Sequence, residues 1–252
     1  MEKILLYPIG SLSSCRYATE LLQLNGFSLT DHPSPEITHL LLDIPSFDTN
    51  GLLWDGSDLK KLLRMLPKDI RVIGGNIRQP FLEEYQKIDL LKDPYYLAKN
   101  AAITSECALK AAAPHLNRTF SDSSVLILGW GRIGKCLARL LRGYGATVTV
   151  AARKANDRAM LEALGYRSVD YSQLSSVLPQ CSILFNTVPN LPLHNDILDT
   201  WKDGTAFDLA SYPGMQGDSV IPARGLPGKY APKTTGKLIF DTILRYYKEG
   251  TL

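Results

Sequence analysis

The stretch SSVLILGWGRIGKCLARLLRGYGATVTVAARK, residues 123–154, constrains the chain most. An apolar run leads straight into glycines. A helical pattern with Ile133, Leu137, Leu140 and Leu141 follows, and a second apolar run comes at 147–152. Strand, glycine turn, helix and strand in that order predict a βαβ unit of a parallel sheet. The glycines fall as G-x-G-x-x-G at Gly129, Gly131 and Gly134. In such a turn the first glycine permits the tight bend, the second lets the backbone approach a pyrophosphate, and the third lets helix and strand lie close. The helix start, at Arg132, Ile133 and Gly134, then offers free N–H groups and a positive dipole end to the phosphates. The motif predicts a dinucleotide site; three chance glycines in a βαβ turn are the plain alternative.

The residues after the second strand bear on which dinucleotide. A site for NAD closes, about 20 residues past the first glycines, on an acid that bonds the ribose 2′-OH. Here that window holds Ala152, Arg153 and Lys154. A 2′-phosphate is attracted by cations and repelled by an acid. Arg153 can hold it through two parallel bonds and Lys154 as a point charge. The expected cofactor is therefore NADP, with NAD as the alternative should one or both cations be solvated and indifferent to the adenosine end.

The rest of the chain reads as α/β. Its 252 residues suffice for one large domain or two ordinary ones. Apolar runs at 3–9, 38–44 and 71–75 alternate with helical patterns at 14–27 and 58–66, with a loop at 32–35. That alternation predicts a parallel sheet covered on both faces. An alanine-rich stretch gives a helix over 94–115, ended by Pro114 and Asn117. Further strands are expected at 182–188 and 204–210, and a last helix at 233–250. The expected architecture is a Rossmann-type doubly wound parallel sheet with a smaller, flavodoxin-like N-terminal α/β domain. Residues 1–93 form the small domain, 94–252 the nucleotide-binding one, and the 94–115 helix joins them. The last helix is expected to lie back on the N-terminal domain.

Composition excludes several function classes. Apolar residues make up 45%, enough for proper cores, yet the longest apolar runs are too short and interrupted to span a membrane. The start, MEKILLYPIG, lacks the apolar length and cleavage site of a signal peptide, so a cytoplasmic protein is expected. A net charge of +3 without a basic block argues against nucleic acid. The four cysteines, at 15, 107, 136 and 181, form no C-x-x-C pair, which argues against zinc or a disulfide framework. No metal is expected.

Four stretches carry a family resemblance: LILGWGRIGKCLARLL (126–141), NTVP (186–189), DLASYPG (208–214) and GLPGKYAPKTTG (225–236). In this order and spacing the chain resembles the A subunit of dipicolinate synthase, whose family is similar in architecture to the D-2-hydroxyacid dehydrogenases. The resemblance implies an oxidoreductase that uses a nicotinamide cofactor. Its reaction would oxidise dihydrodipicolinate, or the hydroxy-tetrahydro precursor, to dipicolinate during sporulation. It also implies a small dicarboxylate substrate and a flavoprotein-like second subunit, with a homodimer as a further assembly. Two departures stand out. Only ten residues, 215–224, separate DLASYPG from GLPGK, where relatives carry a longer segment. YPIGSLSSCR stands where a glycine-acid-arginine turn is common. The shortened segment motivates a second reading, a cofactor-binding protein that works only with a partner. A third is a reductase of another small acid.

The implied product is aromatic, so the protein must chiefly place a ring carbon and hold two carboxylates. Lys233, Thr234 and Thr235 open the last helix after Pro232 and combine a cation, hydroxyls and amides; Lys229 lies in the adjacent glycine-rich turn. Ser211 follows the strand AFDLA at its carboxyl end, where ligands of open parallel sheets sit. Asn186, Thr187 and Pro189 hold the like position after SILF; in related nucleotide domains this turn runs along the nicotinamide ribose. Ordinary turn chemistry is the alternative for each. Thr104, Ser105 and Glu106 read as a helix start, a hydroxyl cap with an acid in the first turn. The resemblance implies that this turn faces the cleft between the domains, with Glu106 orienting a lysine or accepting a proton. Lys233, Glu106 and Ser211 are thus the catalytic candidates, and Thr104, Ser105, Lys229 and Thr234 the substrate-binding ones. No histidine follows His194, which removes the late His–acid pair of the hydroxyacid dehydrogenases.

Overall fold

The computed structural model describes residues 4–189, 198, 201, 204–215, 217 and 219–252. The chain divides into two compact units, residues 1–100 with 227–252, and residues 101–226. The sequence pattern places the break at 93/94 and assigns all of 94–252 to the nucleotide domain. In the structure, residues 94–100 and 227–252 cluster with the first unit.

Five parallel strands form the sheet of the first unit: β1 (Leu5–Pro8), β2 (Ser28–Leu29), β3 (His39–Leu41), β4 (Arg71–Gly74) and β5 (Gln86–Asp89). Their order, β2-β1-β3-β4-β5, is the flavodoxin-like one. Helix α1 (Ser13–Leu24) ends where Gly26 turns left-handed at φ +85°. The Gly26 and Phe27 amides close on the Gln23 and Leu22 carbonyls at 3.1 Å, the paired bonds of a Schellman stop. Asp58 caps α2 (Leu59–Leu63) through the Lys60 amide. Leu40, Leu42, Leu59, Leu63, Ile70 and Val72 form the core between this helix and the sheet.

Helix α3 (Pro94–Ala112) corrects one expectation. Its start is set by Asp93, whose carboxylate accepts from the Tyr96 amide at 2.7 Å and whose carbonyl accepts from Leu97 at 3.0 Å. Pro94 suits the first helical position because its missing N–H would have no partner there. Thr104, Ser105 and Glu106 therefore lie well inside the helix and do not cap it. Asp93-Pro94 is a stronger start signal, and helix formers fill the turns between.

The second unit alternates β6 (Ser124–Leu128), α4 (Arg132–Gly143), β7 (Thr147–Ala151), α5 (Ala155–Ala163), β8 (Arg167–Val169), α6 (Leu174–Val177), β9 (Ile183–Asn186), β10 (Thr205–Asp208) and β11 (Val220–Pro222). All six strands are parallel, in the order β11-β10-β9-β6-β7-β8. This is a doubly wound Rossmann sheet, with the topological switch between β6 and β9. Burial on both faces explains why β6, β9 and β10 read as near-continuous apolar runs. Phe185 and Phe207 stack at 5.3 Å across the β9–β10 pair.

Two helices close the chain, α7 (Leu226–Tyr230) and α8 (Pro232–Lys248). Lys229 thus sits in the last turn of a short helix, not in a glycine-rich turn as the sequence suggests. Helix α8 packs on α1 at Gly236, where a Cβ would come within 2.5 Å of the Ser14 carbonyl oxygen. Tyr246 donates to Asp93 at 2.9 Å and Arg245 pairs with the same carboxylate, tying α8 to the start of α3.

Candidate functional site

The glycine turn between β6 and α4 has three residues with three separate reasons to be glycine. Gly129 stands at φ +98°, and a Cβ there would lie 2.7 Å from Thr187 Oγ1 and 2.6 Å from Val188 Cγ2. A Cβ on Gly134 would strike the Gly129 carbonyl oxygen. Gly131 differs: nothing lies within 4 Å of its Cβ direction, so that side of the turn is open. The first helical bond of α4 runs from the Lys135 amide to the Gly131 carbonyl at 3.0 Å. The amides of Arg132, Ile133 and Gly134 precede it and are left for an outside acceptor. The first turn of α4 carries no acidic residue to compete for them. An open glycine beside free amides at the positive end of a helix fits a diphosphate.

Neighbouring side chains hold the turn in shape. Thr187 donates through both its amide and its hydroxyl to the Leu128 carbonyl, at 3.0 and 2.8 Å. Ser105, buried on α3, donates to the Ala101 carbonyl at 2.8 Å and reaches the Ile133 carbonyl at 3.2 Å. Asn186 donates to the Val188 carbonyl at 2.9 Å and to Asp208 at 2.8 Å, and accepts from the Val188 amide at 2.9 Å. The structure thus brings Ser105, Asn186 and Thr187 to the glycine turn or beside it, with their polar atoms already bonded to protein groups. Pro189 follows, exposed.

Asp208 and Arg224 are the residues that sequence reasoning missed. Asp208 is 1% exposed at the carboxyl end of β10. It accepts from Asn186, from the Gly214 amide at 2.9 Å, from the Ala210 amide at 3.3 Å and from Arg224 Nη2 at 2.7 Å. Arg224 also donates through Nε to the Ala210 carbonyl at 2.9 Å. These two bonds use one edge of the guanidinium. The edge bearing Nη1 carries the parallel N–H pair that suits a carboxylate, and its side chain is 36% exposed. The acid itself was legible as a lone charge ending an apolar strand; its partner, beyond the next strand, was not. Ser211, chosen from the same motif, is exposed.

The Gly129 amide bonds the Ala151 carbonyl at 2.9 Å, which sets the end of β7 beside the glycine turn. Arg153 and Lys154 follow, both exposed, and Lys154 precedes α5 without a side-chain cap. Burial raises the Tyr171 hydroxyl pKa, and the nearby Arg153 charge opposes that rise.

The remaining candidates are spread over both units. In the first, Lys233 is exposed with its ammonium 5.9 Å from the Tyr17 ring centre, and Thr234 is exposed beside it. Thr235 returns its hydroxyl to the Ala231 carbonyl at 2.9 Å. Lys229 lies 5.3 Å from the Tyr230 ring centre. In the second unit Glu106 is exposed and Thr104 is buried on α3. His194 lies outside the described residues. Among the described residues no group of three His, Cys, Asp or Glu could hold a metal ion. No described helix is long and apolar enough to cross a membrane.

A glycine turn of this geometry at the switch of a six-stranded parallel sheet has the form of a dinucleotide-binding Rossmann domain. Residues 98–201 match the model of the D-isomer specific 2-hydroxyacid dehydrogenase, NAD binding domain. In sequence the chain resembles the A subunit of dipicolinate synthase from Bacillus subtilis, at 31% identity over 159 residues, 60% of this chain and 54% of that protein. That match spans about half the relative's length. Its fold is similar to the crystal structure of the A subunit of dipicolinate synthase from Bacillus halodurans, with a TM-score of 0.83 at 22% identity over 96% of this chain and 97% of that one. A D-isomer specific 2-hydroxyacid dehydrogenase from Lactobacillus delbrueckii, in an NAD-complexed form, shares the fold more distantly. Its TM-score is 0.52 at 14% identity, over 100% of this chain and 98% of that one.

Proposed function

We propose that the chain is a nicotinamide-dependent oxidoreductase of the same kind as the A subunit of dipicolinate synthase. It takes dihydrodipicolinate, or its hydroxy-tetrahydro precursor, to dipicolinate in the cytoplasm during sporulation, and prefers NADP to NAD. The observation that carries this reading is the glycine turn, open at Gly131 and flanked by the three free amides of α4. The bound nicotinamide supplies a two-electron acceptor. The dihydro ring gives up a hydride from carbon and a proton, the hydroxy-tetrahydro precursor reaching that ring by first losing water, and the aromaticity gained means that no strong base is required.

The chain's own residues then have to hold two carboxylates and accept one proton. Lys233, Thr234 and Lys229 are assigned to the carboxylates on the resemblance; Thr104, Ser105 and Ser211 are assigned on the same ground as further substrate-binding or catalytic groups, and the free edge of Arg224 is a carboxylate-holding group of the second unit by itself. Glu106 is exposed and is assigned the proton. Arg153 and Lys154 are assigned to the 2′-phosphate. The test is to supply NADP and chemically generated dihydrodipicolinate to the purified chain and follow the absorbance of the reduced cofactor. Turnover that falls sharply in Lys233→Ala, with NADPH binding retained, supports the assignment; product formed as before makes Lys233 structural.

One observation favours a second reading. No helix is seen among the described residues between β10 and β11, in the segment that relatives carry at greater length. A chain with that shortened link binds the cofactor and acts only with a second, flavoprotein-like subunit. Turnover by the chain alone excludes this reading.

A further inference from the structure

No acid closes β7, yet a carboxylate reaches that corner from the strand beside it. β7 and β8 pair with Ala151 opposite Val169, and the Ala152 amide bonds the Val169 carbonyl at 3.0 Å. Asp170 comes next in the chain, so it lies at the same edge of the sheet as Arg153. A lone carboxylate here would do what the acid of an NAD site does: accept from a ribose 2′-OH and repel a 2′-phosphate.

Arg158, in α5, engages that carboxylate. Its Nη1 lies 2.7 Å from Asp170 Oδ2, 2.7 Å from the Ala152 carbonyl oxygen and 2.9 Å from the Arg153 carbonyl oxygen. The other carboxylate oxygen accepts from the Ser172 amide at 3.1 Å and the Ser172 hydroxyl at 2.9 Å. Both oxygens of Asp170 are therefore engaged and its charge is matched. The two carbonyls of the 152–153 turn are drawn to the same guanidinium, while the side chains of Arg153 and Lys154 remain exposed. An ion pair with side chains 25% and 38% exposed adds little to stability, so its consequence falls on recognition.

We infer that Arg158 is a positioning residue for cofactor choice, masking Asp170 and fixing the 152–154 turn so that this corner takes a 2′-phosphate rather than a 2′-hydroxyl. The inference rests on the dinucleotide reading above and adds to it the element that decides between the two nucleotides. With Arg158 in place, three cations face one matched carboxylate. Without it, two cations share the corner with a carboxylate whose Oδ2 is free.

The test is fluorescence titration with NADPH and NADH at low salt, where surface charge is least screened. It uses the wild-type chain, Arg158→Gln, Asp170→Asn and the double variant. In Arg158→Gln the ratio of NADPH to NADH affinity should fall by about tenfold, the scale of one charge-assisted hydrogen bond. In the double variant, where no carboxylate is left to unmask, most of that loss should return; Asp170→Asn alone should not lower the ratio. A merely structural role for Arg158 would weaken both nucleotides alike and would not be rescued by the second substitution. An unchanged ratio in Arg158→Gln, or a double variant no nearer wild type than the single one, overturns the inference while the cofactor reading stands. A wild-type chain that binds neither nucleotide overturns the cofactor reading itself.

Discussion

Arg224 donates to Asp208 at 2.7 Å across the carboxyl ends of β11 and β10, and this pair anchors that edge of the sheet, which β9 separates from the glycine turn after β6. Asp208 also reaches Asn186 at the end of β9, so one carboxylate ties three strand ends together. Gly214 fits against the same group, since a Cβ there would strike Asn186 Nδ2.

Arg224→Ala should cost about 3 kcal/mol of stability, because it leaves a buried carboxylate without its counter-charge. Urea denaturation followed by circular dichroism measures this. Arg224→Lys should recover part of the loss, since lysine keeps the charge but not the paired N–H geometry. A midpoint unchanged in Arg224→Ala would show that the remaining donors to Asp208 suffice.

The glycines separate binding from folding. Gly131→Ala has room for its methyl group and should melt within a few degrees of wild type, yet bind NADPH at least about tenfold more weakly, because the methyl stands where the diphosphate is expected. Gly134→Ala meets the Gly129 carbonyl and should lower the melting temperature outright. If Gly131→Ala binds NADPH normally, the open side of the turn is not the phosphate side.

Arg153→Glu places an acid where the chain has a cation. The preference for NADPH over NADH should flatten or reverse, measured as the ratio of dissociation constants. An unchanged ratio would release residue 153 from any part in the choice of nucleotide.

Acid stability should report on Asp93. Burial alone would raise its pKa, but the Tyr96 amide, the Tyr246 hydroxyl and Arg245 together bring it below the ordinary carboxylate value. A carboxylate with a lowered folded pKa adds stability that is present above its unfolded value, about 3.9, and is lost as pH falls through the folded one. Wild type should therefore lose stability on acidification more steeply than Asp93→Asn. Parallel urea titrations between neutral and acid pH compare the two, and equal slopes would place the acid sensitivity elsewhere.

The sequence made the local features legible and left the long-range ones hidden. Gly129, Gly131 and Gly134 could be read because each answers to a constraint within one turn: a left-handed φ, an open approach, a close carbonyl. Thr104-Ser105-Glu106 misled because hydroxyl-then-acid is also compatible with a helix interior, where Ser105 bonds one turn back. Strands β2, β5, β8 and β11 escaped notice because all four are sheet edges, less buried than the central strands and so without their sustained apolar runs. Asp208 with Arg224, and Arg158 with Asp170, depend on which strands lie side by side, which spacing along the chain does not encode.

The close seating of α8 on α1 at Gly236 has a consequence for the order of assembly. During synthesis residues 1–100 emerge with the face of α1 uncovered, and its cover, α8, is made only after residues 101–226. The 101–226 unit carries all six of its strands within one continuous segment and can close while the tail is still being made. The first unit is thus completed only after the second has been made.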